Sequence, residues 1–535
     1  MPYVVTRSCC ADASCVLACP VNCIHPAPGE PGFGTTEMLY VDPRTCVDCG
    51  ACTTACPVDA LKPHTALTEG ELPFLELNAS YYKENPHTDR APMYVVPGQR
   101  ALPAGELSVA VVGAGPAGLF AADELLRHPG VRVTVLDRLP TPYGLARAGV
   151  APDHQDTKQV TELFRAIESQ AGFRYRLGVE VGADLTHDDL LREHHAVIYA
   201  VGAATDKRLG IEGEELAGSV SATEFVAWYN GHPDRADDAY PFDTERAVVI
   251  GNGNVALDVA RILTADPEVL ARTDISDRAL AALRASKVRE VVLLGRRGPA
   301  QAAFTVPELL ALRALKDVDV RVEGWPEDLA PDATEKTRLL WELAGRTPVE
   351  GRRRIVLRFL ASPVRLLGEG SVEALEFTST ELYTDGDGTV RARRTGAPQS
   401  LETGLVLRSV GYRARPVPGL PFDEDSATVP HERGRVRPGV YVAGWIKRGA
   451  TGYIGTNKTC AQETVESLLD DFAAGLLSRP EQRGGVAVDG LGLDAWLAID
   501  REERAAGEAQ DRPRVKLTDA ESLHRVANAA PAARG

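Results

Sequence analysis

Four cysteines at Cys46, Cys49, Cys52 and Cys56, the last followed by Pro57, are spaced C-x2-C-x2-C-x3-C-P. Three thiolates so placed can wrap one iron-sulfur cube while the fourth turns toward a second cluster. A zinc site would instead use C-x2-C pairs separated by a long gap. The same spacing recurs upstream at Cys9, Cys15, Cys19 and Pro20, but Asp12 holds its second position. Crossing the fourth ligands gives one site of Cys46, Cys49, Cys52 and Cys19, and another of Cys9, Cys15 and Cys56. Carboxylate binds cluster iron more weakly than thiolate. The second site is therefore expected to hold a 3Fe-4S cluster, or a 4Fe-4S cluster with a labile iron facing Asp12. Cys10 is the weaker candidate for the missing ligand, and Cys23 reads as a small buried residue near the cluster.

Two glycine-rich turns carry a second kind of chemistry. Leu107 to Val112 is a short apolar run entering Gly113-x-Gly115-Pro116-Ala117-Gly118 and then a helical pattern. Such glycines permit the tight turn and close backbone approach to a pyrophosphate, which a helix N-terminus stabilises. The next strand ends at Asp137, about 20 residues on, where a carboxylate can accept from ribose hydroxyls. The second turn is Gly251-Asn252-Gly253-Asn254-Val255-Ala256, and its following strand ends in Arg296-Arg297. Guanidinium groups there suit a 2'-phosphate, so this site is expected to take NADP rather than NAD. The two sites together imply FAD in the first and a nicotinamide presented by the second. Outside the N-terminal block Cys460 is the sole cysteine, so no redox-active disulfide stands ready to receive electrons from a flavin.

These motifs need a sizeable scaffold, and the chain of 535 residues supplies it, with 44% hydrophobic and 25% charged residues. With 59 basic against 75 acidic residues the net charge is -16, which argues against nucleic acid as a partner. No apolar run approaches the roughly 20 residues of a membrane span, and the first residues lack the pattern of a signal peptide. A cytoplasmic location is the expectation. The predicted fold is α/β: two interleaved Rossmann-like dinucleotide-binding domains preceded by a small α+β ferredoxin-like module. Expected boundaries are 1–65 for the two-cluster module, 66–105 for a linker, 106–205 and 431–490 for the FAD-binding domain, 206–430 for the NADP-binding domain, and 491–535 for a tail of one helix and a frayed end. Alternation over 353–410 (Ile355, Leu357, Phe359, Leu375, Phe377) predicts antiparallel strands, with a hairpin turn at Thr384 to Gly388.

From about Leu107 onward the chain resembles the adrenodoxin-reductase type of ferredoxin-NADP reductase. The motifs are Val112 to Gly118, Pro142-Tyr-Gly-Leu-Ala-Arg-Ala-Gly-Val-Ala-Pro-Asp-His154, Gly251 to Arg261, Gly295 to Thr305, and Ala443-Gly-Trp-Ile-Lys-Arg-Gly-Ala-Thr-Gly-Tyr-Ile-Gly-Thr-Asn-Lys458. Residues 1 to about 65 resemble a bacterial two-cluster ferredoxin, so the whole is similar to a ferredoxin/ferredoxin-NADP reductase fusion. The resemblance implies FAD against Ala117, Asp137, Leu145, Val181, Trp445 and the Gly452-Tyr453-Ile454 backbone. It implies NADP against Asn252, Gly253, Asn254, Val255, Arg296, Arg297, Glu308 and Gly452. Asp137 and Ala148 depart from the more common glutamate and bulkier residue at their positions. The implied reaction passes electrons from NADPH through FAD to the clusters and on to an external redox protein, such as a cytochrome P450 or a ferredoxin. The alternative is a flavin-dependent oxidoreductase of a small metabolite with the ferredoxin module as electron relay. His154 is expected to orient rather than transfer a proton, because the cofactors carry the hydride chemistry.

Overall fold

Runs of β-branched and aliphatic residues buried on both faces are the signature of parallel strands under helices, and two such sheets organise the chain. The computed structural model describes residues 2–91, 102–103, 105–481, 488 and 490–529. The first sheet runs in the order Arg435–Arg437, Val440–Val442, Ala196–Tyr199, Leu107–Val112, Val131–Asp137 and Phe173–Leu177, parallel except at its first strand. The second runs Ser219–Ser221, Leu405–Arg408, Arg246–Ile250, Glu290–Leu294, Arg353–Arg358 and Val318–Glu323, parallel throughout. Helix Thr456–Ala473 packs along helix Pro116–Leu126 behind the first glycine-rich turn.

Two features shift the expected boundaries. Thr205–Asp206 pairs antiparallel with Tyr412–Arg413, forming the two-stranded bridge between the sheets. Ala414, Val417 and Val429 then join the core of the first sheet, so the chain returns near residue 412 rather than 430. Within 353–410, strand Arg353–Arg358, which carries Ile355 and Leu357, is a parallel member of the second sheet. The antiparallel unit comprises Ala361–Leu367, Ala374–Thr384 and Val390–Glu402, and the expected hairpin turn stands between the last two, closed by Asp385 N–H to the Thr389 carbonyl (3.0 Å).

The N-terminal module pairs Tyr3–Val5 with Leu61–Pro63 and Ile24–His25 with Tyr40–Val41. The expected linker 66–105 begins instead with a helix, Pro73–Glu84, whose Phe74, Asn78 and Tyr82 are buried. Asn78 Oδ1 accepts from the backbone N–H of Val5 (3.2 Å) and Val41 (2.9 Å), and the Tyr82 hydroxyl donates to the carbonyls of Cys23 and Tyr40. Polar groups satisfied across two strands make this helix part of the module. Most of the extended stretch expected from Pro86 to Pro103 lies outside the described residues.

The expected frayed tail is a strap. Helix Leu493–Glu508 buries Trp496, Ile499 and Glu503, and helix Ala520–Asn528 buries Leu523. Glu503 accepts from Arg147 (2.5 Å), Arg514 (3.0 Å) and the Leu517 N–H (3.0 Å), while Lys516 pairs with Asp274 (2.8 Å) and Arg512 with Asp277 (2.5 Å). Buried charges of this kind persist because each is paired. No helix among the described residues is long and apolar enough to cross a membrane.

Candidate functional site

The two glycine-rich turns share one geometry. Helices Pro116–Leu126 and Asn254–Thr264 start at Gly115 and Gly253, and neither start is capped by a side chain. Their first-turn N–H groups therefore remain for an anionic ligand. A Cβ on Gly253 would meet nothing within 4 Å, and one on Gly115 only the Gly144 Cα at 3.9 Å, so each turn leaves a cradle that a backbone-bound pyrophosphate fits. Gly113 has φ 108° and sits against the Ala200 carbonyl, 2.5 Å from where its Cβ would lie, a placement open only to glycine. Asp137, at the end of its strand, accepts from Ala114 N–H (2.8 Å) and Leu139 N–H (2.9 Å). It thus braces the first turn, and burial raises its carboxyl above the ordinary range.

Around the first turn, the structure gathers residues distant in sequence. Gly444, at φ 76°, lets its backbone close on Ala117, whose Cβ is 2.6 Å from where a Gly444 Cβ would stand. Trp445 follows, partly open, its indole N–H donating to the Thr451 carbonyl (3.1 Å) and its ring 5.1 Å from Tyr412. Leu145 is exposed and Val181 half-buried. Gly452 is exposed at φ 83°, followed by Tyr453, whose N–H donates to Thr456 Oγ1 (3.0 Å), and Ile454. An open aromatic plane, an open leucine and a bare glycine provide the apolar, sterically free surface that a flavin ring requires.

At the second turn, the Asn252 carbonyl accepts from Ala303 and Phe304 N–H (3.1 and 2.9 Å), and Asn254 Oδ1 accepts from Thr305 N–H (2.9 Å). Val255 is half-buried on the same helix start. Arg296 is exposed and Arg297 half-buried, and among the described residues neither guanidinium has a hydrogen-bond or ion-pair partner. Unpaired guanidinium groups beside a dinucleotide turn fit a ligand phosphate.

Glu308, in contrast, is embedded in a charge cluster that sequence reasoning missed. It accepts from Arg7 of the N-terminal module (3.2 and 2.9 Å) and from Arg261 (3.1 Å). Arg261 also pairs with Asp153 (2.9 Å) and Asp258 (2.7 Å). His154 Nε2 accepts from both Arg7 and Arg261, which fixes its proton on Nδ1; burial and the two cations keep the ring neutral by lowering its pKa. The two guanidinium groups fill the space that His154, Asp258 and Glu308 would otherwise offer a metal ion. Arg7 lies 301 residues from Glu308, beyond the reach of any sequence pattern.

In the N-terminal module the backbone repeats at an offset of thirty-seven residues. Helices Ser14–Ala18 and Ala51–Ala55 start from left-handed Ala13 (φ 61°) and Gly50 (φ 75°) and end at Cys19 and Cys56. Left-handed Ala11 and Asp48, and Asn22 and Asp59, repeat at the same offset, which places Asp12 where the second half has Cys49. Cys9 and Cys15 lie near Asp12 and Cys56, and Cys52 lies near Cys46, Cys19 and Cys49, while Cys15 and Cys52 are also within electrostatic reach of each other. Burial, with these like charges, pushes Cys9 and Cys52 up to about 12. Crowded, buried thiols of this kind call for a cationic core to hold them as thiolates. Cys23, 3% exposed, lies 3.4 Å from Cys19, and its thiol lowers both Cys19 and Cys46 to about 6.

The comparisons with known proteins agree with this geometry. Residues 107–293 match the pyridine nucleotide-disulphide oxidoreductase model and residues 39–62 the 4Fe-4S binding domain model. A protein of Mycobacterium leprae named "Probable ferredoxin/ferredoxin--NADP reductase" is 49% identical over 99% of both chains. The "NADPH:adrenodoxin oxidoreductase, mitochondrial" of Arabidopsis thaliana is 38% identical over 78% of this chain and 94% of its own. A solved structure of Mycobacterium tuberculosis FprA in complex with NADPH is 43% identical, with a TM-score of 0.75, covering 79% of this chain and 100% of that one. An oxidoreductase scaffold with an N-terminal 4Fe-4S module, matched along its whole length at this identity, belongs to the ferredoxin/ferredoxin-NADP reductase family.

Proposed function

We propose that the protein oxidises NADPH and delivers the electrons, through FAD, to iron-sulfur clusters in its own N-terminal module and on to an external redox protein, of which a cytochrome P450 is one candidate. The carrying observation is that the N-terminal module lies directly on the Gly452 to Gly455 segment beside the first dinucleotide turn, with Gly455 N–H donating to the Cys10 carbonyl (2.8 Å). When bound, FAD supplies the conversion between a two-electron hydride donor and one-electron acceptors. The chain's own residues bind and orient. Gly113, Gly115, Pro116, Ala117 and Gly118 form the FAD pyrophosphate turn, Asp137 braces it, and Leu145, Val181, Trp445, Tyr453 and Ile454 line the ring position. Asn252, Gly253, Asn254 and Val255 present the NADP pyrophosphate turn, and Arg296 and Arg297 hold the 2'-phosphate. Gly452 leaves the nicotinamide an approach without a side chain. Cys19, Cys46, Cys49 and Cys52 would hold a 4Fe-4S cluster, and Cys9, Cys15 and Cys56 a 3Fe-4S cluster or one with a labile iron at Asp12.

The test is stopped-flow mixing of the purified holoprotein with NADPH. Flavin bleaching followed by concentration-independent bleaching of the iron-sulfur absorbance is the expected result. Protein lacking flavin and iron, or flavin bleaching never followed by cluster bleaching, would refute the assignment.

A further inference from the structure

We propose that the N-terminal module works from a fixed, docked pose in which the Asp12 corner is the inner station facing the flavin domain, the Cys46 to Cys49 loop is the outlet to the external acceptor, and Arg7 and Lys458 are the positioning residues. The inference rests on the functional reading above and adds to it an order of the two clusters and the contacts that impose it.

Three independent contacts define the pose. First, Lys458, in the opening turn of helix Thr456–Ala473, pairs with the Asp12 carboxylate (3.6 Å), donates to Ser14 Oγ (3.1 Å) and to the Asp12 carbonyl (3.5 Å). The Asp12 side chain is 7% exposed and that of Lys458 32%, so the carboxylate is withdrawn from water and the lysine closes over it from the solvent side. Second, the module's backbone occupies the space beside Gly455: a Cβ there would overlap Ala11 and the Asp12 N–H. Third, Arg7 enters the Glu308, His154 and Arg261 cluster between the two dinucleotide domains. Glu37 and Lys62 extend the contact outward, to Val306 N–H (2.7 Å) and Asp156 (3.9 Å). An arrangement held at both dinucleotide domains is a docked unit rather than a freely tethered one.

The same pose separates the two sets of ligands. Gly455 N–H donates to the carbonyl of Cys10 (2.8 Å), the neighbour of Cys9, and Lys458 reaches Asp12, so the Cys9 set borders the Gly452 to Lys458 segment of the flavin domain. At the other end, Cys49 is exposed and its neighbour Val47 is 58% exposed. The electron count fits two stations: NADPH yields NADP, one proton and two electrons, and each cluster accepts one before the external protein withdraws them singly.

The test uses the holoprotein with Lys458→Glu, and Arg7→Gln as a second variant should the first fold poorly. Hydrogen exchange reports the dock, and freeze-quench EPR after NADPH addition reports the order. In the wild type, residues 6–14 and 452–458 should be protected together, and the Asp12-side cluster should be reduced before the Cys46 to Cys52 cluster. In either variant, exchange in both segments should rise and cluster reduction, relative to flavin reduction, should slow about tenfold, equivalent to roughly 1.4 kcal/mol. Unchanged exchange, faster exchange with an unchanged relative rate, or reduction of the Cys46 to Cys52 cluster first would overturn the proposal. Absence of iron and sulfide from the purified protein is a separate failure, that of the functional reading itself.

Discussion

Replacing Arg296 and Arg297 together by Gln isolates the recognition of the 2'-phosphate. Neither guanidinium has a partner among the described residues, so their removal leaves no orphaned acid and little structural cost. A hydrogen bond to a charged group contributes about 1.5–3 kcal/mol. Arg296 is exposed and solvent-screened while Arg297 is half-buried, so values near the lower bound apply, about 3 kcal/mol for the pair. At roughly 1.4 kcal/mol per tenfold, kcat/KM for NADPH should fall on the order of 100-fold, almost wholly through KM. With NADH, which lacks the phosphate, the change should stay within about threefold. The assay is steady-state reduction of ferricyanide, which takes electrons from the flavin directly. An equal loss with both nucleotides, or a loss residing in kcat, would refute the reasoning, since the arginines would then shape the fold or the transition state.

Other perturbations test separate parts of the structure. Asp12→Cys supplies a thiolate at the backbone position equivalent to Cys49, so iron content should rise by about one atom per chain and the EPR signal of a three-iron centre should vanish; no change in either would remove Asp12 from the ligand set. Gly444→Ala places a methyl group against Ala117 at a left-handed φ, costing about 1–3 kcal/mol, and the flavin retained on purification should drop. Glu503→Ala leaves the buried Arg147 without its carboxylate, while Arg514 keeps Asp500, and thermal unfolding should register a loss of about 3–5 kcal/mol; a shift equal to that of an exposed substitution would contradict the strap. Glu308 is held at about 2, below its ordinary 4.5, by the Arg7 and Arg261 guanidinium groups acting against its burial. A depressed carboxyl stabilises fully above its unfolded value and loses that contribution as pH falls toward its folded one. The wild type should therefore lose stability between about pH 4.5 and 2 more steeply than Glu308→Gln, measured by chemical unfolding of the flavin-loaded protein across that range.

The amino-acid sequence by itself determined the chemistry within short segments. Cysteine spacing, the substitution at Asp12, both glycine-rich turns, the terminal Asp137 and the Arg296-Arg297 pair are local patterns, since a turn and the strand and helix flanking it are specified by neighbouring residues. Helix Pro73–Glu84 was hidden because it runs directly into the proline-bearing stretch from Pro86 and carries only a weak apolar stripe, its tie to the module being the buried Asn78 side chain. The C-terminal strap was hidden because its anchors are ion pairs such as Arg147 with Glu503, 356 residues apart. Strand Arg353–Arg358 alternates like an edge strand yet lies inside a parallel sheet, where neighbours rather than periodicity set its direction. What the tertiary structure alone decided is how the pieces meet: Arg7 in the Glu308 cluster and Lys458 on Asp12 across 446 residues. Such contacts bring together groups whose separation along the chain carries no period, so only the folded packing of the module on both dinucleotide domains can place them.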